Sequence, residues 1–287
     1  MKKRILSSLI LWGSLLTTII FLKIDGGILI LTLFSAAAQW ELYHIWKKAG
    51  KKVAPIIGTL AGSLIFPATH YFYEPLLELT QVQHLIGALP LVGAILLSAG
   101  LTLCFGKKIL YPGETLLPTT LGILYIPFLL HFLILIYYLE PGTGGLYLCL
   151  WFIITAKFTD MGALLVGKSF GKHKMAPVLS PGKTWEGTIG GALTAAAASA
   201  ITAIIANQYM NFGFHFPPLT AAILGIPIAL VGQLGDLLES SFKRKAKLKD
   251  SGNTIPGIGG SLDLLDSLIP TAPLAYILLI TTLQLLP

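Results

Sequence analysis

The sequence predicts an all-α, polytopic integral membrane protein with about nine transmembrane helices and a cytoplasmic N-terminus. Three observations carry this. The chain is 54% hydrophobic and 11% charged, with a mean hydropathy of +0.78, whereas a soluble domain carries roughly 25% charged residues. Apolar runs recur along it, each near the ~20 residues a bilayer demands. Lysine and arginine fall in alternate loops. A length of 287 residues could hold two soluble domains, but the recurring runs argue for one integral-membrane unit. Within it, 1–145 reads as N-terminal transmembrane helices and 146–287 as a transmembrane region with two basic loops and the residues suited to chemistry.

The first run, 5–22, follows Lys2, Lys3 and Arg4, and a tight hairpin at Lys23-Ile24-Asp25 joins it to the second, 26–43. The third to sixth are predicted at 53–73, 85–105, 115–138 and 146–166, and the last three at 187–205, 219–238 and 263–286. Several contain proline (Pro67, Pro90, Pro127, Pro227, Pro270, Pro273), which membrane helices tolerate better than soluble ones.

Orientation follows from the cations. The N-terminus, Lys47–Lys52, Lys107-Lys108, Lys168–Lys183 and Lys243–Lys249 together hold eighteen of the twenty Lys and Arg residues, all on one side of the predicted membrane. Lys23 lies opposite and Lys157 inside a span, while Asp25, Glu74, Glu78 and Glu140 occupy the other loops. The positive-inside rule makes the rich side cytoplasmic. Met1-Lys2-Lys3-Arg4 before an apolar run also suits a signal peptide, but Ala36-Ala37-Ala38, the nearest small-residue cleavage pattern, lies inside the second run.

The net charge of +7 is no nucleic-acid signal, because topology and anionic headgroups account for cations spread over five segments. Cys104 and Cys149 offer neither zinc spacing nor a disulfide framework. Gly182-Lys183-Thr184 ends like a P-loop, but Pro177 stands where that motif needs glycine and no strand precedes it, so a Walker A loop is rejected. Lys183 can still meet a phosphate as a point charge. A solvated loop that only sets topology is the plain alternative for this segment.

The acidic residues are more informative. Carboxylates are costly in a membrane and persist there mainly for function. Asp263 and Asp266, three apart at the start of the last run, share a helix face. Capping alone could account for Asp263, since negative charge suits a helix N-terminus. Asp236, with Glu239 three residues on, sits at the opposite, unfavourable end of its helix, where a bound cation would explain it. The segment between them holds five basic residues, Lys243, Arg244, Lys245, Lys247 and Lys249, followed by a stretch with Gly252, Gly257, Gly259 and Gly260. Clustered carboxylates bind hard cations and basic, glycine-rich loops suit phosphates. Asp160, roughly 9 Å deep at 1.5 Å per residue, can pair with Lys157 one turn away, as a structural ion pair or as a polar wall of a site. These groups lie at one depth, near the cytoplasmic boundary, open to a lipid headgroup from the side and a nucleotide from the cytosol.

Taken together, Ser240, Phe242, Lys243, Arg244, Lys249, Asp250, Gly252, Ile255, Pro256, Gly259, Gly260, Asp263 and Asp266 resemble the signature of phosphatidate cytidylyltransferases (CDP-diacylglycerol synthases). Gly232–Ser240, Asp160–Ala163 and Ser180–Gly187 also look like that family. The resemblance covers about 150–276; in the N-terminal half only Glu41, in Trp40-Glu41-Leu42-Tyr43, adds to it. Ile258 stands where the family has His, and Leu264 where it has Arg. The resemblance implies an Mg²⁺-dependent nucleotidyltransferase that joins CTP and phosphatidate into CDP-diacylglycerol and pyrophosphate for phospholipid biosynthesis. It implies a centre holding Mg²⁺ with a second cation such as K⁺, on Asp236, Asp263 and Asp266. Lys249 would then be catalytic, and Lys183, Ser240, Lys243, Arg244, Asp250, Gly259, Gly260 and Asp160 would bind substrate. The expected setting is a bacterial cytoplasmic (inner) membrane, with membrane lipids and a second copy in a homodimer as partners. The alternatives are a CTP-dependent kinase or cytidylyltransferase of a polyprenyl lipid, and a transporter. Transporter carboxylates usually sit near the bilayer midplane between repeats, and no such repeat is visible here.

Overall fold

Each apolar run is helical over most of the length that can be described. A computed structural model of the protein describes residues 2–73, 83–104, 112–140, 142–210, 214–254 and 259–283. Glu74, Glu78, Lys107, Lys108, Gly257 and Ile258 lie outside the described residues. Among the described residues, six helical segments are long and apolar enough to cross a membrane: Phe21–Lys48, Gly113–Leu139, Thr143–Phe170, Trp185–Tyr209, Pro218–Lys245 and Ser261–Leu283. An all-α membrane protein follows, with one small antiparallel hairpin among the described residues.

The chain forms two compact units, Met1–Ile134 with Phe242–Leu265, and Leu135–Ser241 with Asp266–Pro287. The first begins with α1 (Lys2–Lys48), which is broken at Lys23, where φ is 51°. A Cβ on Gly26 would lie 2.5 Å from the carbonyl oxygen of Thr18. Eight residues span ~12 Å in a straight helix, so the chain turns back on itself here, as the predicted hairpin requires. The 53–73 run is not one helix but two, α2 (Pro55–Ser63) and α3 (Ile65–Tyr73). The cause is Pro67, whose ring clashes with the carbonyl four residues before it and whose nitrogen cannot donate. Next come α4 (Gln83–Cys104) and α5 (Pro112–Ile123). A π-helical turn at Leu124–Phe128, containing Pro127, separates α5 from α6 (Phe132–Leu139).

Tyr43, fully buried, ties α1 to α5: its hydroxyl donates to Thr119 O at 2.6 Å and accepts from Gln39 Nε2 at 2.9 Å. Any Cβ at Gly58 on α2 or Gly122 on α5 would overlap this ring, so α2 and α5 approach it through glycine.

In the second unit α7 (Thr143–Phe170) packs on α8 (Trp185–Tyr209). Small residues let the backbones approach closely, the usual basis of helix association in lipid. A Cβ on Gly162 would collide with Thr194, and one on Gly190 with Val166. Thr194 Oγ1 also donates to Phe158 O at 3.1 Å. Between the two helices, β1 (Lys174–Ala176) pairs with β2 (Ser180–Thr184) in the register Lys174↔Thr184. Thr184 caps α8 by accepting from Gly187 N at 3.1 Å, and Glu186 accepts the amides of Lys172 and His173 at 3.1 and 3.2 Å. The basic loop predicted here is thus a braced hairpin.

The long helix α9 (Pro218–Lys245) runs from the second unit into the first, where Phe242 meets Trp46 and Tyr125 edge-on. It ends with Leu248 N donating to Lys243 O at 2.8 Å and Lys247 N to Arg244 O at 3.0 Å, the bond pair of a Schellman cap. Lys247 occupies the left-handed position, φ 56°, that glycine usually fills. The short α10 (Ser261–Leu265) closes the first unit, and α11 (Leu268–Leu283) the second.

Candidate functional site

Two polar clusters stand out, one in each unit. In the second, α9 presents Asp236 and Glu239 from one face, and the turn before α11 presents Asp266. Their ligand atoms all lie within 4.8 Å of one another. Gly235 allows this, since a Cβ there would come within 2.5 Å of both the Asp266 carbonyl oxygen and Pro270. Glu239 is 0% and Asp266 7% exposed. Carboxylates this close and this buried call for positive charge beside them. Lys183 on β2 supplies one such charge, its ammonium lying 2.7 Å from Asp236 and 3.1 Å from Gln233 O. Gln233 is itself buried and donates to Thr188 O at 3.2 Å, fastening α9 to α8.

Alongside, Lys157 on α7 reaches Asp160 at 3.5 Å and Ser267 Oγ at 3.2 Å, while Ser267 donates to Asp160 at 3.1 Å. The Ser267 amide donates to Asp266 Oδ1 at 2.6 Å. The Lys157–Asp160 pair expected from sequence is therefore present and adjoins the acidic trio. A set of three carboxylates, oxygen donors only, fits a hard divalent cation such as Mg²⁺.

The first unit holds the loop between α9 and α10. Lys243 pairs with Asp263 Oδ1 at 2.7 Å, with both side chains largely buried. Asp263 Oδ2 accepts from Ser251 Oγ at 2.8 Å, Gly260 N at 2.9 Å and Ser251 N at 3.1 Å. Gly259, at φ +130°, supplies a backbone conformation open chiefly to glycine. Glu41, 6% exposed on α1, reaches into the same loop. Its Oε2 accepts from Ser251 Oγ at 3.0 Å and Leu262 N at 2.9 Å; its Oε1 accepts from Ser261 N at 3.1 Å and from Thr254 Oγ1.

Of the residues singled out in the sequence, Asp236 and Asp266 come together with Lys183, and Asp160 lies beside them. Asp263 is placed in the first unit with Lys243, Ser251 and Gly260. Ser240 is buried on α9; Arg244 is exposed and donates to Leu248 O at 3.2 Å; Lys249 and Asp250 are exposed. Two acids gain roles that the sequence reading did not give them. Glu239 was visible as a neighbour of Asp236 one turn on. Glu41 was visible as a lone acid in an apolar run, a functional signal in its own right.

Residues 2–282 match the Cytidylyltransferase family, and the chain belongs to that family. Among curated relatives, the phosphatidate cytidylyltransferase of Haemophilus influenzae is 37% identical over 166 residues, 58% of this chain and 54% of that protein. The phosphatidate cytidylyltransferase of Staphylococcus aureus strain COL is 42% identical over 146 residues, 50% of this chain and 53% of its own length. That of Staphylococcus epidermidis is 40% identical over 146 residues, 51% and 54% of the two chains. The chain thus spans about half the length of the curated relatives it matches.

Proposed function

We propose that the protein is a phosphatidate cytidylyltransferase that converts CTP and phosphatidate into CDP-diacylglycerol and pyrophosphate at the cytoplasmic face of a bacterial inner membrane. The observation that carries this reading is the trio Asp236, Glu239 and Asp266 beside Lys183, in a chain of the cytidylyltransferase family whose relatives carry that name. A phosphatidate oxygen attacks the α-phosphorus of CTP; the new P–O bond forms as the bond to pyrophosphate breaks. The attacking oxygen is already an anion, so no strong base is required. The obstacle is bringing two polyanions together.

The trio would hold Mg²⁺, which when bound neutralises phosphate charge and aligns the attack. Lys183 spends two of an ammonium's three donors on Asp236 and the Gln233 carbonyl and has a third to offer a phosphate oxygen. In the first unit, Lys243, Arg244 and Lys249 are assigned to phosphate binding, with Asp263 orienting Lys243. The finer topology belongs to the same proposal: nine spans, with the N-terminus and both basic loops cytoplasmic.

The test is pyrophosphate release by purified protein in detergent. Release that needs CTP, phosphatidate and Mg²⁺ together is expected. Release without phosphatidate, or solute flux in sealed vesicles with no pyrophosphate formed, would overturn the proposal.

A further inference from the structure

We infer that Glu41 is a positioning residue for nucleotide use: it latches Ser251, Thr254, Ser261 and Leu262 and, through Ser251 and Asp263, sets the place of Lys243. The inference deepens the proposed function and rests on it. A carboxylate inside an apolar helix is costly unless its lone pairs are filled. Glu41 has four donors, two on each oxygen: Thr254 Oγ1 and Ser261 N on one, Ser251 Oγ and Leu262 N on the other. Among the described residues every contact is a hydroxyl or an amide, and Glu41 is 6% exposed, which suits an anchor rather than a cation ligand.

Gly252 and Gly260 also make room for this carboxylate. A Cβ at Gly252 would sit 2.5 Å from Glu41 Oε1, and one at Gly260 would overlap both Glu41 Oε2 and Ser251 Oγ. From there the chain of contacts is short. The Ser251 hydroxyl lies 3.0 Å from Glu41 and 2.8 Å from Asp263, and Asp263 lies 2.7 Å from Lys243. The one Ser251 hydroxyl proton is shared between the two carboxylates, and displacing Glu41 also releases Thr254, Ser261 and Leu262, which hold Gly260 N in place against Asp263. Glutamine cannot substitute fully, because its amide would turn N–H groups toward one pair of donors. Aspartate is one methylene too short.

The test is steady-state kinetics with CTP as the varied substrate, on Glu41→Gln and Ser251→Ala, together with exchange of the amides around the latch. Loss of hydrogen bonds to a buried charge should raise the KM for CTP about 10-fold or more in each variant. The kcat per folded molecule should stay close to wild type, and the amides of Gly260, Ser261 and Leu262 should exchange faster. Combining Glu41→Gln with Ser251→Ala should cost little more than Glu41→Gln alone, since both cut one chain of contacts. An unchanged KM with a lower kcat, or unchanged exchange, would overturn the inference. Ser251→Ala leaves α1 intact and decides the question even if Glu41 variants fail to fold. A wild type silent toward CTP and phosphatidate would instead overturn the proposed function, and the exchange measurement would still report on the latch.

Discussion

At the scale of single residues, the two kinds of carboxylate should fail differently. Asp236→Asn, Glu239→Gln and Asp266→Asn each remove an oxygen from the trio. Each should lower turnover by roughly 100-fold or more in folded protein, since a bound cation contributes several kcal/mol of charge stabilisation. Partial recovery at raised Mg²⁺ would mark lost affinity. Asp263→Asn should instead raise the KM for CTP and leave the Mg²⁺ dependence near wild type; a shifted Mg²⁺ dependence would return Asp263 to the ligand set. Asp236 and Asp266 were legible in the sequence because acids at the ends of apolar runs are rare and costly. Glu239 was less so: one turn from Asp236, near the cytoplasmic end of its helix, it could pass for a solvated side chain until α9 was seen to bury it completely. The tasks of Glu41 could not be read at all, since its partners lie 210 to 221 residues away and no local spacing encodes such a distance.

At the scale of elements, apolar periodicity located the helices well and their ends poorly. Thr143–Phe170 extends beyond the predicted 146–166, and Pro218–Lys245 beyond 219–238, because polar and basic turns continue a helix once the apolar part has paid the cost of nucleation. The hairpin β1–β2 was missed because Lys-Met-Ala and Ser-Pro-Gly-Lys-Thr show no alternation; Glu186 and Thr184 hold it instead. The α7–α8 contact should be sensitive to bulk. Gly190→Leu forces a side chain into Val166 and should cost about 1–3 kcal/mol, read as a lower unfolding midpoint in detergent, while the exposed Gly182→Ala should change little. The cap of α9 gives a prediction of opposite sign. A non-glycine residue in the left-handed region pays ~1–2 kcal/mol, so Lys247→Gly should raise the midpoint and Lys247→Ala should not.

At the scale of the whole molecule, the membrane class was plain from composition, and the proposed topology can be tested by labelling. Single cysteines at Lys183 and Lys247 should react with an impermeant reagent only from the cytoplasmic side, and cysteines at Glu140 and His215 only from the other; a mixed pattern would break the nine-span arrangement. The division into two units was not legible, because residues Phe242–Leu265 rejoin a unit that otherwise ends at Ile134. That return has a consequence in time. Ribosomes add ~5–20 residues per second, so the 210 positions between Glu41 and Ser251 take roughly 10–40 s to make at that pace. Throughout that interval α1 carries a carboxylate whose partners do not yet exist. Until Ser251, Thr254, Ser261 and Leu262 are made, that carboxylate must draw its hydrogen bonds from water or from the insertion machinery, since leaving it unsatisfied in lipid is costly.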